Sequence, residues 1–179
     1  AEEEVLEAAS GDGILAVGAE EGIDQLGAEA LDDALAEEEA VLEAVLDAGK
    51  FPVVVGGDHS MAMGTVTGGS SHFRKRDQKI GMLWIDAHAD FNTGETSPTG
   101  NIHGMPLSAL MGYGSPELVN IGGFSPKVLP ENTVLIGIRS VDDGERELVM
   151  ASGIHYYEMM KIDARGMAAV VEEALSIAL

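Results

Sequence analysis

Followed for where apolar residues recur, the chain divides into alternating helical and extended stretches. From about Ala28 the apolar positions fall at Leu31, Leu35, Leu42, Val45 and Leu46 with acids between them, which is the spacing of one helix face, and Gly49 ends the run. Residues 51–55 are apolar and largely β-branched, which predicts a strand buried on both faces and broken by Gly56-Gly57. A helix is expected from residues 59–66. Residues 80–85 predict a second buried strand running into Asp86, Thr133–Ile138 a third and residues 154–157 a fourth. Residues 14–19 fit a further short strand, residues 142–151 fit a helix, and Asp163 is expected to start the last one. Its amphipathic end, residues 167–179, needs another element to pack against.

Alternating strand and helix signals predict a mostly parallel sheet covered by helices on both faces, a three-layer α/β/α fold. In such sheets ligands bind beyond the carboxyl ends of the strands. The polar, turn-rich stretch 91–106 lies at one of those ends, and a loop of that length in a compact domain is usually kept for function.

Composition narrows the partners. The formal charge is −21 over 179 residues, and residues 1–49 hold sixteen Asp and Glu with no Lys or Arg. Such a surface is read as a solvated helical face. It argues against nucleic acid, which needs clustered cations, and favours cationic solutes. No apolar run is long enough to cross a bilayer, so a soluble, cytoplasmic protein is expected. Cysteine is absent, so any metal is held by His, carboxylates or backbone oxygens. The chain opens on Ala and closes on a helix in want of a partner, so it is expected to be incomplete at its C-terminal end.

Chemistry concentrates at the strand ends. Asp86-Ala87-His88-Ala89-Asp90 follows a buried strand. On an extended chain residues two apart point the same way, so Asp86, His88 and Asp90 are expected to converge. Two carboxylates and an imidazole without sulfur suit a borderline-hard divalent ion. His59, in Gly56-Gly57-Asp58-His59-Ser60, follows another strand and becomes a candidate ligand beside that cluster, with Asp58 as a capping group. His103 is a candidate proton carrier, since imidazole exchanges protons near neutral pH. His72 and His155 lack such surroundings and are read as structural, and the methionines as filling.

GGDHS (56–60), DAHAD (86–90) and NIHGMP (101–106) resemble the leading motifs of the ureohydrolases, which hydrolyse guanidino groups. DFNTGETSPTGNIHGMP (90–106) and GIRSVDDGE (137–145) are similar to the arginase branch in particular. The likeness runs from about residue 30 to the end. One partial domain over residues 1–179 is therefore expected, with 1–27 a poorly matched acidic segment. The resemblance implies two Mn²⁺ ions that activate water, with His59, Asp86 and Asp90 matching ligands of one and Asp86 and His88 of the other. It implies that Asp90 also helps move a proton to the leaving amine and that His103 shuttles protons. Asn92, Ser97 and Thr99 match positions that hold a substrate α-carboxylate, and Asp142 and Glu145 positions near its α-amino group. The implied reaction converts L-arginine to ornithine and urea, in a homo-oligomer when full length. The family draws further ligands from a later Asp-x-Asp segment beyond Leu179, so a fragment or truncated form with weak metal binding and an exposed apolar sheet edge is expected. An agmatinase-like enzyme and a non-catalytic metal-binding domain are the alternatives. The hydroxyls and amide of residues 92–99 separate the first, because they suit a carboxylate that agmatine lacks.

Overall fold

The computed structural model describes residues 28–179, so the strand expected at 14–19 lies outside the described residues. Helix α1 (Ala28–Asp47) ends as its periodicity predicts, with Gly49 at φ +69°. A 3₁₀ turn (His59–Met61) leads into α2 (Ala62–Arg74), capped by Asp58, whose Oδ1 accepts the Ser60 N–H at 2.9 Å. The remaining elements are β1 (Met82–Ile85), a 3₁₀ turn (Ile102–Gly104), α3 (Pro106–Leu110), α4 (Pro116–Val119), β2 (Thr133–Ile138), α5 (Asp143–Ser152), β3 (His155–Glu158), α6 (Met159–Arg165) and α7 (Met167–Ala178).

The strands form one parallel sheet in the order β1-β2-β3. Strand β2 is buried at every position, as a strand covered on both faces should be. Side chains alternate across the sheet. Met82, Trp84 and Leu135 face a core shared with Leu107, Leu110 and Val149 of α3 and α5. Val134, Ile136 and Tyr157 face Ile162, Val170 and Ala174 of α6 and α7. Helix α1 packs outside α2, where Leu35, Met63, Ala109 and Ile121 make a third cluster. Helices, sheet and helices thus give the three layers expected. No helix among the described residues is long and apolar enough to cross a membrane.

Four local expectations are corrected. Residues 51–55 form no strand: with no strand paired to them among the described residues, Phe51 is 81% exposed and Val55 62%. Strand β1 is buried on one face only, and Ile85 is 67% exposed, because it lies at an edge of the described sheet. Asp163 sits inside α6 rather than starting a helix; the chain bends at Gly166, whose φ of +83° separates α6 from α7. The last helix is not without a partner, since Val170 and Ala174 are fully buried against the sheet. It comes so near the start of β1 that a Cβ at Gly81 would stand 1.9 Å from the Ala178 carbonyl, which only glycine permits.

Candidate metal centre and substrate cleft

Strand β1 delivers Asp86 to the carboxyl edge of the sheet, and the adjoining strand makes room for it. At Gly137 (φ +98°) the β2–β3 register shifts, and a Cβ there would meet the Asp86 carbonyl at 3.0 Å. The ladder continues as Asp86 N–H donates to Ile136 O at 3.0 Å, and the Ala87 carbonyl accepts from Arg139 N and Ser140 N. Beyond Ile85 the backbone bends, so the Asp86-His88-Asp90 convergence does not come from an extended chain as expected. It comes from a turn: Asp86 Oδ1 accepts the His88 N–H at 2.9 Å, and Asp90 turns left-handed at φ +49°.

The result is a compact set of donors. His59 Nδ1 lies 2.7 Å from Asp90 Oδ2 and 3.1 Å from Asp86 Oδ2. The three ligand atoms of His59, Asp86 and Asp90 all fall within 4.8 Å of one another. The other oxygen of Asp86, Oδ1, faces His88 Nδ1 at 3.2 Å, so one carboxylate stands between two imidazoles. His88 itself is exposed and Asp90 is buried. The His59 ring stacks on Trp84, with centroids 4.2 Å apart and planes 23° from parallel. Trp84 was not singled out in the sequence; its place one residue from the end of a strand leading into Asp86 was the available signal.

The electrostatics favour a cation. The hydrogen bond to Asp90 raises the His59 pKa above its ordinary value despite burial, and the charges of Asp90 and Asp86 add to it. Burial pushes Asp86 up, but the His88 N–H and the nearby His59 and His88 charges outweigh it and leave the carboxyl below its usual range. The His59 nitrogen thus faces two carboxylates at 2.7 and 3.1 Å. One nitrogen and two carboxylates with no sulfur are a donor set for such an ion.

A cleft of about 270 Å³ opens beside this cluster. Every expected site residue except His59 and Asp86 lines it: His88, Asp90, Asn92, Ser97, Thr99, His103, Asp142 and Glu145. His103 is exposed, on the 3₁₀ turn Ile102–Gly104. Ser97 Oγ accepts the Gly100 N–H at 2.9 Å and Thr99 Oγ1 accepts the Asn101 N–H at 3.3 Å. Each hydroxyl has one proton, and with a lone pair taken up by the backbone that proton is left to donate outward. Asn92 is buried, its Nδ2 donating to Asp142 Oδ2 at 3.0 Å and its Oδ1 accepting from Thr96 Oγ1 at 3.0 Å. One amide hydrogen of Asn92 remains. Glu145 is 3% exposed at the start of α5, and burial raises its carboxyl above the ordinary range, against the lowering effect of the Phe91 and Asp142 N–H groups. Away from the cleft, His72 is buried with Nδ1 2.9 Å from Asp47 Oδ1, a packing role as expected.

A His, Asp and Asp group that could hold a metal ion, at the carboxyl edge of a parallel sheet and beside a polar cleft, defines a candidate metal-binding α/β protein. The chain belongs to the arginase family, whose sequence pattern matches residues 18–178. It is 50% identical over 137 residues to the arginase of Bacillus caldovelox, covering 76% of this chain and 44% of that one. The structure of that arginase is similar at a TM-score of 0.80 and 45% identity, over 89% of this chain and 52% of that one. An Entamoeba histolytica arginase in complex with L-ornithine is similar at a TM-score of 0.75 and 30% identity, over 84% and 50%. The chain therefore spans about half the length of the relatives it matches.

Proposed function

We propose that the chain carries the leading half of an arginase site and acts in hydrolysing the guanidino group of L-arginine to urea and ornithine, with Mn²⁺ as the metal. The convergence of His59, Asp86 and Asp90 on one point beside the polar cleft carries this reading. His59, Asp86 and Asp90 would hold one ion, and Asp86 with His88 would contribute to a second. Divalent ions, when bound, lower the pKa of water and so supply hydroxide at neutral pH.

The residues of the chain account for the rest. Acidic walls draw in the guanidinium cation, and Asp142 at the cleft suits the substrate's α-ammonium group. Ser97 and Thr99 donate their free hydroxyl protons to the α-carboxylate, with the spare Asn92 hydrogen beside them. Binding energy at that remote end holds the guanidinium carbon near Asp90. Hydrolysis breaks the bond between that carbon and the Nε of arginine. Oxygen from water joins the carbon, and the departing amine needs one proton. Asp90 and His103 are the groups placed at the cleft to move it. The E. histolytica arginase was captured with L-ornithine, the amino acid such a reaction releases.

Agmatine, which lacks the carboxylate, tests substrate choice. Urea release from both compounds is to be followed with added Mn²⁺, using this chain and the full product of its gene. Arginine should be preferred, and Ser97→Ala should lower turnover of arginine far more than of agmatine. Equal losses on the two would show that the loop does not read the carboxylate. Absence of urea from both proteins would leave the family fold without this activity.

A further inference from the structure

The peptide bond after Asp90 is held from both of its ends. Asp90 lies in the left-handed region at φ +49°, which a non-glycine residue keeps only where its surroundings enforce it. Its carbonyl accepts the Leu107 N–H at 3.0 Å and the Ser108 N–H at 3.4 Å, both from the first turn of α3. The N–H of the same peptide, on the fully buried Phe91, donates to Glu145 Oε1 at 2.8 Å. The second oxygen of Glu145 accepts the Asp142 N–H at 3.2 Å.

Glu145 therefore has both oxygens engaged by backbone donors, and it is 3% exposed at the cleft floor. Each oxygen commits one lone pair to a backbone N–H and keeps another open. What Glu145 controls is the plane of the Asp90–Phe91 peptide. That plane sets the backbone angles at Asp90, and they aim its Oδ2 at His59 Nδ1, 2.7 Å away. Asn92 is tied to the same helix start through Asp142. The start of α5 thus grips the site loop at two adjacent residues, and a Cβ at Gly144 would already crowd Thr96 at 3.3 Å.

We propose that Glu145 is a positioning residue for the metal centre: it fixes the Asp90–Phe91 peptide and so holds the Asp90 carboxylate on the ion. This rests on the reading of Asp90 as a metal ligand. Groups that orient metal ligands typically account for ten- to a hundredfold in affinity.

The test compares wild type, Glu145→Ala, Glu145→Gln and Val149→Ala in two measurements. Amide hydrogen exchange at Phe91 is read without metal, and Mn²⁺ affinity by calorimetry. Glu145→Ala should speed exchange at Phe91 at least tenfold and weaken Mn²⁺ by roughly ten- to a hundredfold. Glu145→Gln keeps an acceptor oxygen for Phe91 and should recover much of both. Val149→Ala, which loosens the same helix through the core, should lower the melting temperature and leave Mn²⁺ affinity unchanged. If Glu145→Ala does not fold, the Gln variant decides, since its one remaining acceptor oxygen still predicts a measurable intermediate. Slow Phe91 exchange or undiminished Mn²⁺ affinity in Glu145→Ala would overturn the proposal, as would a Glu145→Gln variant no better than Glu145→Ala or an equal affinity loss in Val149→Ala. Should wild type bind no Mn²⁺, the ligand reading of Asp90 falls, and Phe91 exchange alone still decides whether Glu145 holds the peptide.

Discussion

Two parts of the molecule treat their backbone in opposite ways. Along residues 86–108 the polar groups are held from several elements: Asp86 by β2, Ala87 by the chain after β2, Asp90 by α3, Phe91 by α5 and Asn92 by the Gly104 carbonyl at 3.0 Å. Residues 51–55 and the outer side of β1 have no paired strand among the described residues, and Phe51, Val53, Val55 and Ile85 are exposed there. The first region is irregular yet determined, while the second has strand-like sequence yet does not form a strand. Regular pattern and structural definition are separate properties. Definition comes from how many elements meet at a backbone, and a strand-like sequence without a neighbour has nothing to define it.

Substitutions can press on each side of this contrast. The largest effect is expected at Trp84, 5% exposed beneath His59. Trp84→Ala should cost about 3–5 kcal/mol by denaturant unfolding; a loss under 1 kcal/mol would mean the site does not lean on this ring.

The determined region pairs its acids with His59, whereas Glu38 is a buried acid whose hydrogen-bond donor is a hydroxyl, Thr65 Oγ1 at 2.6 Å. Burial pushes the Glu38 carboxyl up to about 7, against the lowering effect of that hydroxyl. Because the folded state then holds its proton more tightly than the unfolded one, this contribution is fully present below about pH 4.5 and is lost as pH rises through 7. Glu38→Gln should remove that decline and be more stable than wild type at pH 8 by roughly 3 kcal/mol at most. Unfolding curves of equal pH dependence in the two proteins would rule it out.

Between the metal residues a smaller difference is expected. Asp86 faces two imidazoles and His88 one carboxylate, so Asp86→Ala should reduce bound manganese about tenfold more than His88→Ala, as for ligand-orienting groups. Elemental analysis giving equal content would count against the proposed sharing of Asp86 between two ions. The smallest effect belongs to the open edge. Val55→Thr should leave stability within about 0.5 kcal/mol while reducing self-association in sedimentation. A strong destabilisation there would show that the edge is covered in solution.

The sequence revealed the layers because β2 is apolar along Val134–Ile136 and at Ile138, and α1 and α5 keep one apolar face. It also pointed to the candidate cluster, since His59 and Asp86 each follow an apolar run, and the two lie 3.1 Å apart although only Asp86 stands at a strand end. It misjudged residues 51–55 because apolar, β-branched composition reports what a segment suits, not whether a neighbour is present to pair with it. The geometry at Asp90 was hidden for another reason. No local signal in DAHAD marks a left-handed aspartate, since the groups that hydrogen-bond its peptide, Leu107 and Glu145, lie 17 and 55 positions later in the chain. For the same reason the pattern put Glu145 at the cleft without showing that each of its oxygens accepts a backbone N–H.

The stacking of His59 on Trp84 gives the molecule an optical property. Trp84 is the one tryptophan in the chain, so all of its indole emission arises against the His59 imidazole. Excited indole passes an electron readily to a charged imidazolium and much less readily to a neutral ring. An ion bound at His59 would alter that emission, so the tryptophan would report occupancy of the candidate site by light.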